Sequence, residues 1–504
     1  MSISPTGISF NQIPVNILVP GQYIEYDNSQ AVAGTPAMPS VILVLGQKLA
    51  SGQVASGVPT QIFSPAQAAA AFGQGSMLAT MLAALYGANS ITETWAIAQD
   101  DNPEGQEATG SVLFGGPATE AGTFSLYVAY NAVPNVPSNL VQVAISAGMT
   151  AAEMATALAA EVALMPWLPV TAAVDATNPA KVDLTAIHKG LWGNDIDLRS
   201  TYYVGDAPPA GVTATITAMS GGTANPALTA AIAAMGDTWY TSFILPYYDQ
   251  ASITALQTEL VRRLGPMVQK DGHAYGAVPG TTAQATAVGT ALNTQVTSFF
   301  GTHLSPTHPS LWAAVAGAVI EYNANIDPAR PMQTLQLTGI LPPAAPDQAI
   351  WTDRNLMLTD GISTYDIDSG GNVLIERCIT NYRTNAQGLP DTSYLSVETV
   401  LTLAYLRFAI RARIAQKFPR FKLGADGNNF APGQAIVTPT TIRNELISLF
   451  TELEAAALVE NLSQFTSALL VQLDPNDPDR VNALIPPQLV GQFRVFAGQI
   501  QFLL

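Results

Sequence analysis

Histidine and acidic side chains are the first candidates for chemistry in this chain, because they can bind metals or transfer protons. His303 and His308 lie close together in the sequence, and Glu321 follows them. The spacing matches no zinc motif, no cysteine joins the set, and Pro306 and Pro309 place the histidines in a loop. We therefore predict no metal site at these residues.

Two further segments resemble ligand-binding loops but lack residues that such loops need. Asp474, Asp477 and Asp479 could present carboxylates to calcium, yet the segment has neither the turn glycine nor the terminal glutamate of an EF-hand loop. Gly221-Gly222 is not followed by the Lys-Ser/Thr pair of a phosphate-binding loop. We predict a solvated hinge at Asp474–Asp479 and a tight turn at the two glycines.

No residue pattern predicts nucleophilic catalysis. The chain has no G-x-S-x-G elbow, and neither His188 nor His273 has a sequence neighbour that would pair a base with a nucleophile. Cys378 is the only cysteine and lies in an apolar stretch, which is typical of a buried structural thiol. The sequence therefore predicts a protein that is not an enzyme and binds no cofactor, while a site assembled from distant residues stays open.

One cluster of basic residues contrasts with an acidic chain. The net charge of −17 argues against general nucleic-acid binding, yet Leu401–Gly424 contains basic residues and no acidic ones. On a helix, Arg407 and Arg411 share one face, as do Arg413 and Lys417. Attraction to the helix dipole can account for Lys417 and also for Arg413, but it does not explain the absence of acidic residues. We predict a face for an acidic protein partner, formed by Arg407, Arg411, Arg413, Lys417, Arg420 and Lys422.

The elements that position these residues follow from composition and hydrophobic patterning. At 504 residues, with 48% apolar and 11% charged side chains, the chain can form several domains with sizeable cores. Val41–Leu45 is predicted to be a buried strand, Ser64-Pro65 starts a helix that stops at Gly73, and Met77–Tyr86 is a second helix. A strand at Thr92–Ile97 completes a pattern that indicates a layered α/β core.

A polar break at Asp100–Gly105 separates this core from a segment of short strands. Thr150 and Glu153 are predicted to form a capping box for the one helix of that segment, Ala151–Leu164. The fold class predicted is α/β (α+β) and multi-domain. The predicted bounds are 1–35 for an N-terminal extended arm, 36–105 and 208–473 for a discontinuous core, 106–207 for an inserted outward-facing β-rich domain, and 474–504 for a hinge with a C-terminal arm strand.

The second part of the core is predicted to mix helices and strands. Its pattern has no short-period repeat, which disfavours a solenoid. The predicted elements are Asn225–Met235, Ser242–Leu245, Ile253–Leu264, Ala274–Val278, Thr282–Ser298, a helix at Leu311–Asn323, strands at Leu356–Leu358 and Val373–Ile379, a long helix at Leu395–Lys417 and a final helix at Asn444–Glu460.

Both arms carry apolar side chains at alternate positions, which is typical of half-buried strands. Ile485–Leu504 has one charged residue, Arg494, and Pro14 and Pro20 interrupt the N-terminal arm. Neither arm has an evident partner strand in the chain, so we predict that both pair with other copies of it. The residues predicted to make these intersubunit contacts are Ile8, Phe10, Ile13, Val15, Ile17, Val19, Phe493, Val495, Phe496, Ile500, Phe502 and Leu504.

Several motifs, in a shared order, resemble those of contractile tail sheath proteins, in particular the sheaths of Mu-like phages. The resemblance covers nearly the whole chain and is least clear for Gly110–Thr185. The motifs are Ile8–Pro14, a G-x-x-G-N-x-I element at Gly190–Ile196, a helix at Ala314–Gly317 followed by Asp327, a G-I turn at Gly361-Ile362, a hairpin at Gly371-Asn372-Val373 and an R-x-I-T-x-Y strand at Arg377–Tyr382.

The resemblance implies a structural subunit that stacks in hexameric rings around a tail tube and contracts to drive the tube through the host envelope. In that family, terminal arms pair with strands of neighbouring subunits within and between rings. The Arg-rich helix would then face the acidic outer wall of the tube. The implied partners are other copies of the chain, the tail tube protein, and the baseplate and tail terminator proteins.

The expected location is the virion tail, with assembly in the host cytoplasm. The sequence has no long uninterrupted apolar window and no signal-peptide pattern at its start, so we expect neither membrane insertion nor export. Two alternatives stay open. One is the sheath of a phage-derived bacterial injection device, whose subunit physics is the same, and the other is a soluble hydrolase with an unrecognised site.

Overall fold

The computed structural model describes residues 17–24, 37–428, 430–431 and 434–503. Within it the chain divides into two compact units, Pro39–Leu401 and a second unit that combines Met1–Met38 with Thr402–Leu504. Five of the predicted arm residues lie outside the described residues, namely Ile8, Phe10, Ile13, Val15 and Leu504.

The larger unit begins with a buried strand followed by two capped helices. β1 is buried along its whole length, as expected for a central strand that is covered on both faces. Ser64 and Ser76 accept hydrogen bonds from backbone N–H groups in the first turn of each helix, and Gly73 ends the first helix at a φ of 91°. The elements are β1 (Val41–Gln47), β2 (Thr60–Ile62), α1 (Pro65–Phe72), α2 (Met77–Ala88) and β3 (Glu93–Gln99).

Residues 107–220, called the inserted domain below after the prediction that such a domain exists here, pack one helix against antiparallel strands. The predicted capping box of Thr150 and Glu153 is present, and the helix buries Met154, Leu158 and Val162 along one face. The elements are β4 (Glu107–Gly115), β5 (Gly122–Val128), β6 (Leu140–Ile145), α3 (Ala151–Ala163), β7 (Val170–Val174), β8 (Lys181–Lys189), β9 (Leu198–Arg199) and β10 (Thr213–Ser220).

The strands of the inserted domain form two sheets, with orders β10-β4-β8-β7 and β6-β5-β9. β10 lies beyond the predicted boundary at 207, yet it pairs with β4 from Thr213 onward. An isolated bridge between Gln106 and Thr223 joins the start of the insertion to its end. The sheet of the inserted domain therefore continues to Ser220, because its last strand returns to pair with its first.

The remaining part of the larger unit completes the core sheet. Every residue of α7 from Pro309 to Glu321 is buried, and α7 packs against α2 and β12. The elements are α4 (Thr229–Ala234), β11 (Ser242–Ile244), α5 (Gln250–Leu264), β12 (His273–Pro279), α6 (Thr282–Ala291), β13 (Thr297–His303), α7 (Pro309–Ile326), α8 (Trp351–Thr359), β14 (Thr364–Ile367), β15 (Val373–Arg377) and the first residues of α9 (Val397–Lys417), most of which belongs to the second unit.

The core sheet has six strands in the order β13-β12-β11-β1-β3-β2. All neighbouring pairs are parallel except β2 with β3. Numbered along the chain, the five parallel strands have the order 2-1-3-4-5, which is a doubly wound arrangement. The order reverses between β1 and β11, and the carboxyl ends of these two strands are where doubly wound proteins usually hold a ligand.

After Thr402, the second unit contains most of α9, two further helices and short strands. Leu446, Leu449, Phe450 and Leu453 of its first helix are buried, and the Phe450 ring stacks on Phe465 with centroids 3.7 Å apart. The elements are β16 (Lys422–Leu423), β17 (Ile436–Val437), α10 (Pro439–Ala455), β18 (Val459–Glu460), α11 (Leu462–Ala468), β19 (Leu470–Leu473), β20 (Val481–Leu484) and β21 (Gln488–Leu489).

Three predicted elements are wrong in type or extent. Leu356–Leu358, predicted to be a strand, lies in the helix α8. The prediction failed because so short an apolar run fits the period of a helix as well as that of a strand. The element Thr282–Ser298 is split into α6 and β13. The helix predicted at Asn444–Glu460 starts earlier, because Thr438 caps it and Pro439 opens it, and it ends earlier, at Ala455, so that Glu460 lies in a strand.

The predicted hinge at Asp474–Asp479 is the turn of a β-hairpin. β19 and β20 pair in the register Leu470 with Leu484 and Leu473 with Val481, so the acidic residues connect two paired strands. The segment that follows β21, residues 490–503, has no assigned helix or strand. No helix among the described residues is long and apolar enough to span a bilayer.

Candidate functional site

The residues first considered for metal binding have separate roles in the core. His303 lies at the end of β13 and its Nδ1 is 3.3 Å from the Tyr365 hydroxyl. Glu321 accepts a 2.6 Å hydrogen bond from Thr241 and a 2.8 Å bond from Ser40, and burial raises its pKa. Within the described residues, no group of three His, Cys, Asp or Glu side chains could hold a metal ion.

His308 caps the start of α7. Its Nδ1 accepts from the backbone N–H of Ser310, so the ring proton lies on Nε2 and donates to the Trp192 carbonyl over 3.0 Å. Burial lowers the pKa of His308 to about 4, which keeps the ring neutral at physiological pH. This histidine therefore joins α7 to the inserted domain and has no free nitrogen for a metal.

His273 has a hydroxyl neighbour that sequence reasoning missed. Its Nε2 lies 2.7 Å from Ser298 Oγ, a pair formed because β12 and β13 are adjacent and parallel. Both side chains are buried, and both lie at the amino ends of their strands. Burial lowers the pKa of His273 to about 3. The pair has the composition of a base and a nucleophile but no access for a substrate.

The acidic turn and the glycine pair are both explained by local hydrogen bonds. Asp474 accepts 2.8 Å bonds from the Asn476 backbone N–H and from Asn482 Nδ2, which lower its pKa. Gly222 donates its backbone N–H to Asn194 Oδ1 over 2.8 Å, and Gly221 has a φ of 86°. The two glycines directly follow β10, and the tight turn predicted there stays a prediction.

The predicted basic face is divided by burial. Arg413 is buried, and its guanidinium forms ion pairs with Glu445, at 3.0 Å, and with Glu452, both on α10. Lys417 is 47% exposed and lies 4.0 Å from Glu445. The charge of Arg413 is therefore neutralised by ion pairs inside the second unit. Its assignment to an exposed basic face is wrong for the isolated subunit. Of the other predicted residues, Arg407 is half-buried, and Arg411, Lys417, Arg420 and Lys422 are exposed.

The C-terminal arm exposes a row of large apolar side chains. Phe493, Val495, Phe496, Ile500 and Phe502 are between 74% and 91% exposed. In the N-terminal segment, Val19 is 69% exposed and Ile17 is half-buried. Within one copy, the part of the chain that the structure describes leaves these side chains uncovered, and exposed apolar patches of this kind are typical of interaction sites.

β18 and β21 form the two-stranded sheet from which the C-terminal arm departs. Glu460 pairs with Gln488 and Val459 with Leu489. Among the described residues, β18 and β21 pair only with each other, so each strand has an outer edge. Such edges are sites for strand addition by another chain.

Comparison with known proteins gives consistent matches along the chain. The family "Phage tail sheath protein central domain" matches residues 221–381, and "Phage tail sheath C-terminal domain" matches residues 390–503. A Mu-like prophage FluMu tail sheath protein from Haemophilus influenzae is 45% identical over 497 residues, which cover 99% of this chain and 100% of that protein.

Solved structures of sheath proteins are more distant. The sheath tail protein from Desulfitobacterium hafniense is 12% identical, with a TM-score of 0.49 and coverage of 94% of this chain and 97% of that chain. The sheath tail protein Lin1278 from Listeria innocua is 13% identical, with a TM-score of 0.48 and coverage of 92% and 95%.

The family matches and the close relative confirm the resemblance seen in the motifs. They also confirm that the protein is structural and not an enzyme, because the family consists of tail sheath proteins. This chain belongs to the phage tail sheath protein family.

Proposed function

We propose that this chain is the subunit of a contractile sheath that stacks as hexameric rings around a tail tube and contracts to drive the tube through the host envelope. Assembly takes place in the host cytoplasm, and the product is part of the virion tail. The partners are further copies of the chain, the tail tube protein, and the baseplate and tail terminator proteins.

The exposed C-terminal arm is the observation that carries the proposal. Residues 490–503 present their aromatic and branched side chains to solvent in the isolated subunit. At roughly 3.3 Å per residue, an extended arm of this length reaches about 45 Å, enough to contact a neighbouring subunit. Pairing with an outer edge of β18 or β21 in that neighbour would add main-chain hydrogen bonds of about 1 kcal/mol each.

Head-to-tail pairing of this kind also explains a tubular product. A contact in which the arm of one copy binds a different surface on the next copy is heterologous, and such contacts build helices when they do not close a ring. Contraction would then be a change between two packings of folded subunits that stay linked by their arms.

Removal of the arm tests this proposal. A chain that lacks residues 490–504 is expected to stay folded, with an unchanged thermal transition, but to form no long sheaths in negative-stain electron microscopy. A matched pair of full-length variants separates side-chain chemistry from length. Phe493→Asp with Phe496→Asp should prevent polymerisation, whereas Phe493→Leu with Phe496→Leu should retain it. Formation of long sheaths by the truncated chain would contradict the proposal.

The accessible basic residues of α9 and the segment after it are proposed to face the tube. Reversal of Arg420 and Lys422 to Glu should weaken assembly on purified tubes while sparing self-polymerisation, because the arm contacts do not involve these charges. Arg407→Glu with Arg411→Glu is expected to act in the same direction. Tube-templated assembly at the wild-type level in both double variants would rule out this role.

A further inference from the structure

The crevice at the reversal point of the core sheet is filled by the inserted domain. Gln47, at the carboxyl end of β1, is fully buried and donates from Nε2 to Asp101 Oδ1 over 2.6 Å and to the Lys189 carbonyl over 2.8 Å. Its Oε1 accepts from the hydroxyl of Tyr247, which follows β11. The position that holds a ligand in many doubly wound proteins is thus occupied by the last residues of β8.

His188 is the centre of this contact. Its side chain is fully buried, and its Nε2 accepts a 3.1 Å hydrogen bond from the backbone N–H of Met77, at the first residue of α2. Because an amide can only donate, the ring proton lies on Nδ1, which donates to Asp101 Oδ1 over 3.0 Å. One imidazole therefore connects three segments: the end of β8, the start of α2 and the residues after β3.

The turn that follows β8 extends the contact along the G-x-x-G-N-x-I motif. Leu191 donates its backbone N–H to Asn225 Oδ1 over 2.8 Å, and Asp195 accepts a 3.0 Å bond from the Tyr248 hydroxyl. Asn194 bonds in both directions with Gly222, at 2.8 and 3.0 Å, which ties the turn to the exit of the insertion. The polar residues of the motif thus have structural partners across the joint or within it.

The backbones of the core and the inserted domain also approach each other closely at positions away from the crevice. A Cβ added at Gly87 would lie 2.5 Å from the Pro134 carbonyl, and one added at Gly339 would lie 2.3 Å from the Val133 Cα. Ala132 also donates its backbone N–H to the Gly339 carbonyl over 2.9 Å. The core and the inserted domain therefore make close backbone contacts at Gly87 and at Gly339, and a cavity of about 470 Å³ that is lined by both of them lies beside the second contact.

We propose that His188 is a positioning residue that locks the inserted domain into the crevice, so that Pro39–Leu401 moves as one rigid body. The consequence for a sheath rests on the proposed function. When such a sheath changes its packing, the inserted domain would move together with the core and keep its orientation relative to it. The joint itself is a property of the isolated subunit and is testable there.

Hydrogen exchange measures the local effect of this residue. His188→Ala removes the acceptor of the buried Met77 N–H, so that amide should exchange at least about tenfold faster, equivalent to about 1.4 kcal/mol. The matched control is His273→Ala, which removes an equally buried histidine of the core whose ring contacts Ser298 of the neighbouring strand β13. It should lower the melting temperature without accelerating the Met77 amide.

A distance measurement tests the positioning role. Spin labels at Thr156→Cys on α3 and Thr258→Cys on α5, both exposed, report the separation of the two domains, while the buried Cys378 stays unlabelled. The full-length chain is diluted with unlabelled chain so that only distances within one subunit are recorded. His188→Ala should broaden the distance distribution, and His273→Ala should leave it at the wild-type width.

The outcomes separate this inference from the proposed function. A distribution in His188→Ala as narrow as in wild type overturns the lock, even if the melting temperature falls. If His188→Ala does not fold, the variant Asp101→Asn provides the test. It keeps the side-chain volume but places an amide donor opposite the Lys189 backbone N–H. An unchanged distance distribution in this variant would also overturn the proposed role of His188. Neither result depends on whether the chain forms sheaths.

Discussion

Arg413 and Asp195 show how burial gives single charged residues an internal role. Arg413 has ion pairs with two glutamates of α10, although it belongs to a run of basic residues that looks like a surface. Asp195 lies at the joint of the inserted domain, where desolvation raises its pKa to about 7 despite the hydrogen bond from Tyr248. For both residues, the side chains that contact them in the folded chain come from distant parts of the sequence and could not be read from the residues next to them.

Arg413→Ala should destabilise the second unit. It leaves Glu445 and Glu452 without their guanidinium partner, at an expected cost of about 1–3 kcal/mol, reduced because Glu452 keeps contact with solvent. Arg420→Ala is the matched control and should change the free energy of unfolding by less than about 0.5 kcal/mol. Urea unfolding of the arm-truncated chain provides the measurement, and equal effects of the two variants would contradict the assignment.

Asp195→Asn should make stability less dependent on pH. Between about pH 4 and pH 7 the folded state holds a proton that the unfolded state has lost, so this carboxyl destabilises the fold increasingly as the pH rises. Asparagine cannot lose that proton and keeps an acceptor for Tyr248. We expect the variant to be more stable than wild type by about 1–2 kcal/mol at pH 8 and by less at pH 5. An identical difference at both pH values would refute this.

At the scale of elements, α7 and the β19–β20 hairpin decide how the two units are built. α7 lies deep in the larger unit, and Gly317 lets it approach β11 and β12 closely. The hairpin turns at acidic residues whose carboxylates accept backbone and side-chain hydrogen bonds, so a polar, proline-containing stretch is ordered there. The free part of the C-terminal arm therefore begins after β21 and not at the acidic segment.

Gly317→Ala tests the packing of α7. The added Cβ would lie 2.2 Å from Ile244 Cδ1, so the fold should lose about 1–2 kcal/mol although alanine favours a helix. Ile244→Val removes the methyl group in conflict. The double variant should then be more stable than the sum of the two single effects, as measured by thermal unfolding in a double-mutant cycle. Additive effects would show that the overlap is relieved elsewhere.

At the scale of the whole molecule, few charges and an exposed apolar C-terminal arm agree with the proposed assembly of copies of this chain into a sheath. The chain has 11% charged residues and a net charge of −17, while its basic cluster occupies one segment. The proposed arm contacts are apolar and the proposed tube contacts are charged, so they should differ in their response to salt, since exposed charges are screened and apolar burial is not. Self-polymerisation and assembly on the tube should therefore be distinguishable by varying the salt concentration of one preparation.

Ionic strength should weaken assembly on the tube more than self-polymerisation. The screening length falls from about 10 Å at 0.1 M salt to about 3 Å at 1 M, so contacts of Arg420 and Lys422 with an acidic wall should be largely lost. Sheath lengths measured by electron microscopy, with and without tubes, provide the test. The Glu variants of these two residues serve as the control, because they should show little further loss. Salt-independent assembly on tubes would contradict the tube-facing role.

Local patterns in the sequence determined the helix caps, the buried strand β1, the apolar arms and the motifs of the sheath family, because each depends on residues a few positions apart. The tertiary structure alone decided that β10 returns to β4, that Arg413 turns inward and that His188 meets Asp101 across 87 positions. Such pairings depend on strand order and domain insertion, which bring together segments that share no local signal. Propensity and spacing therefore predicted the parts of this subunit, and topology decided which of their side chains face each other.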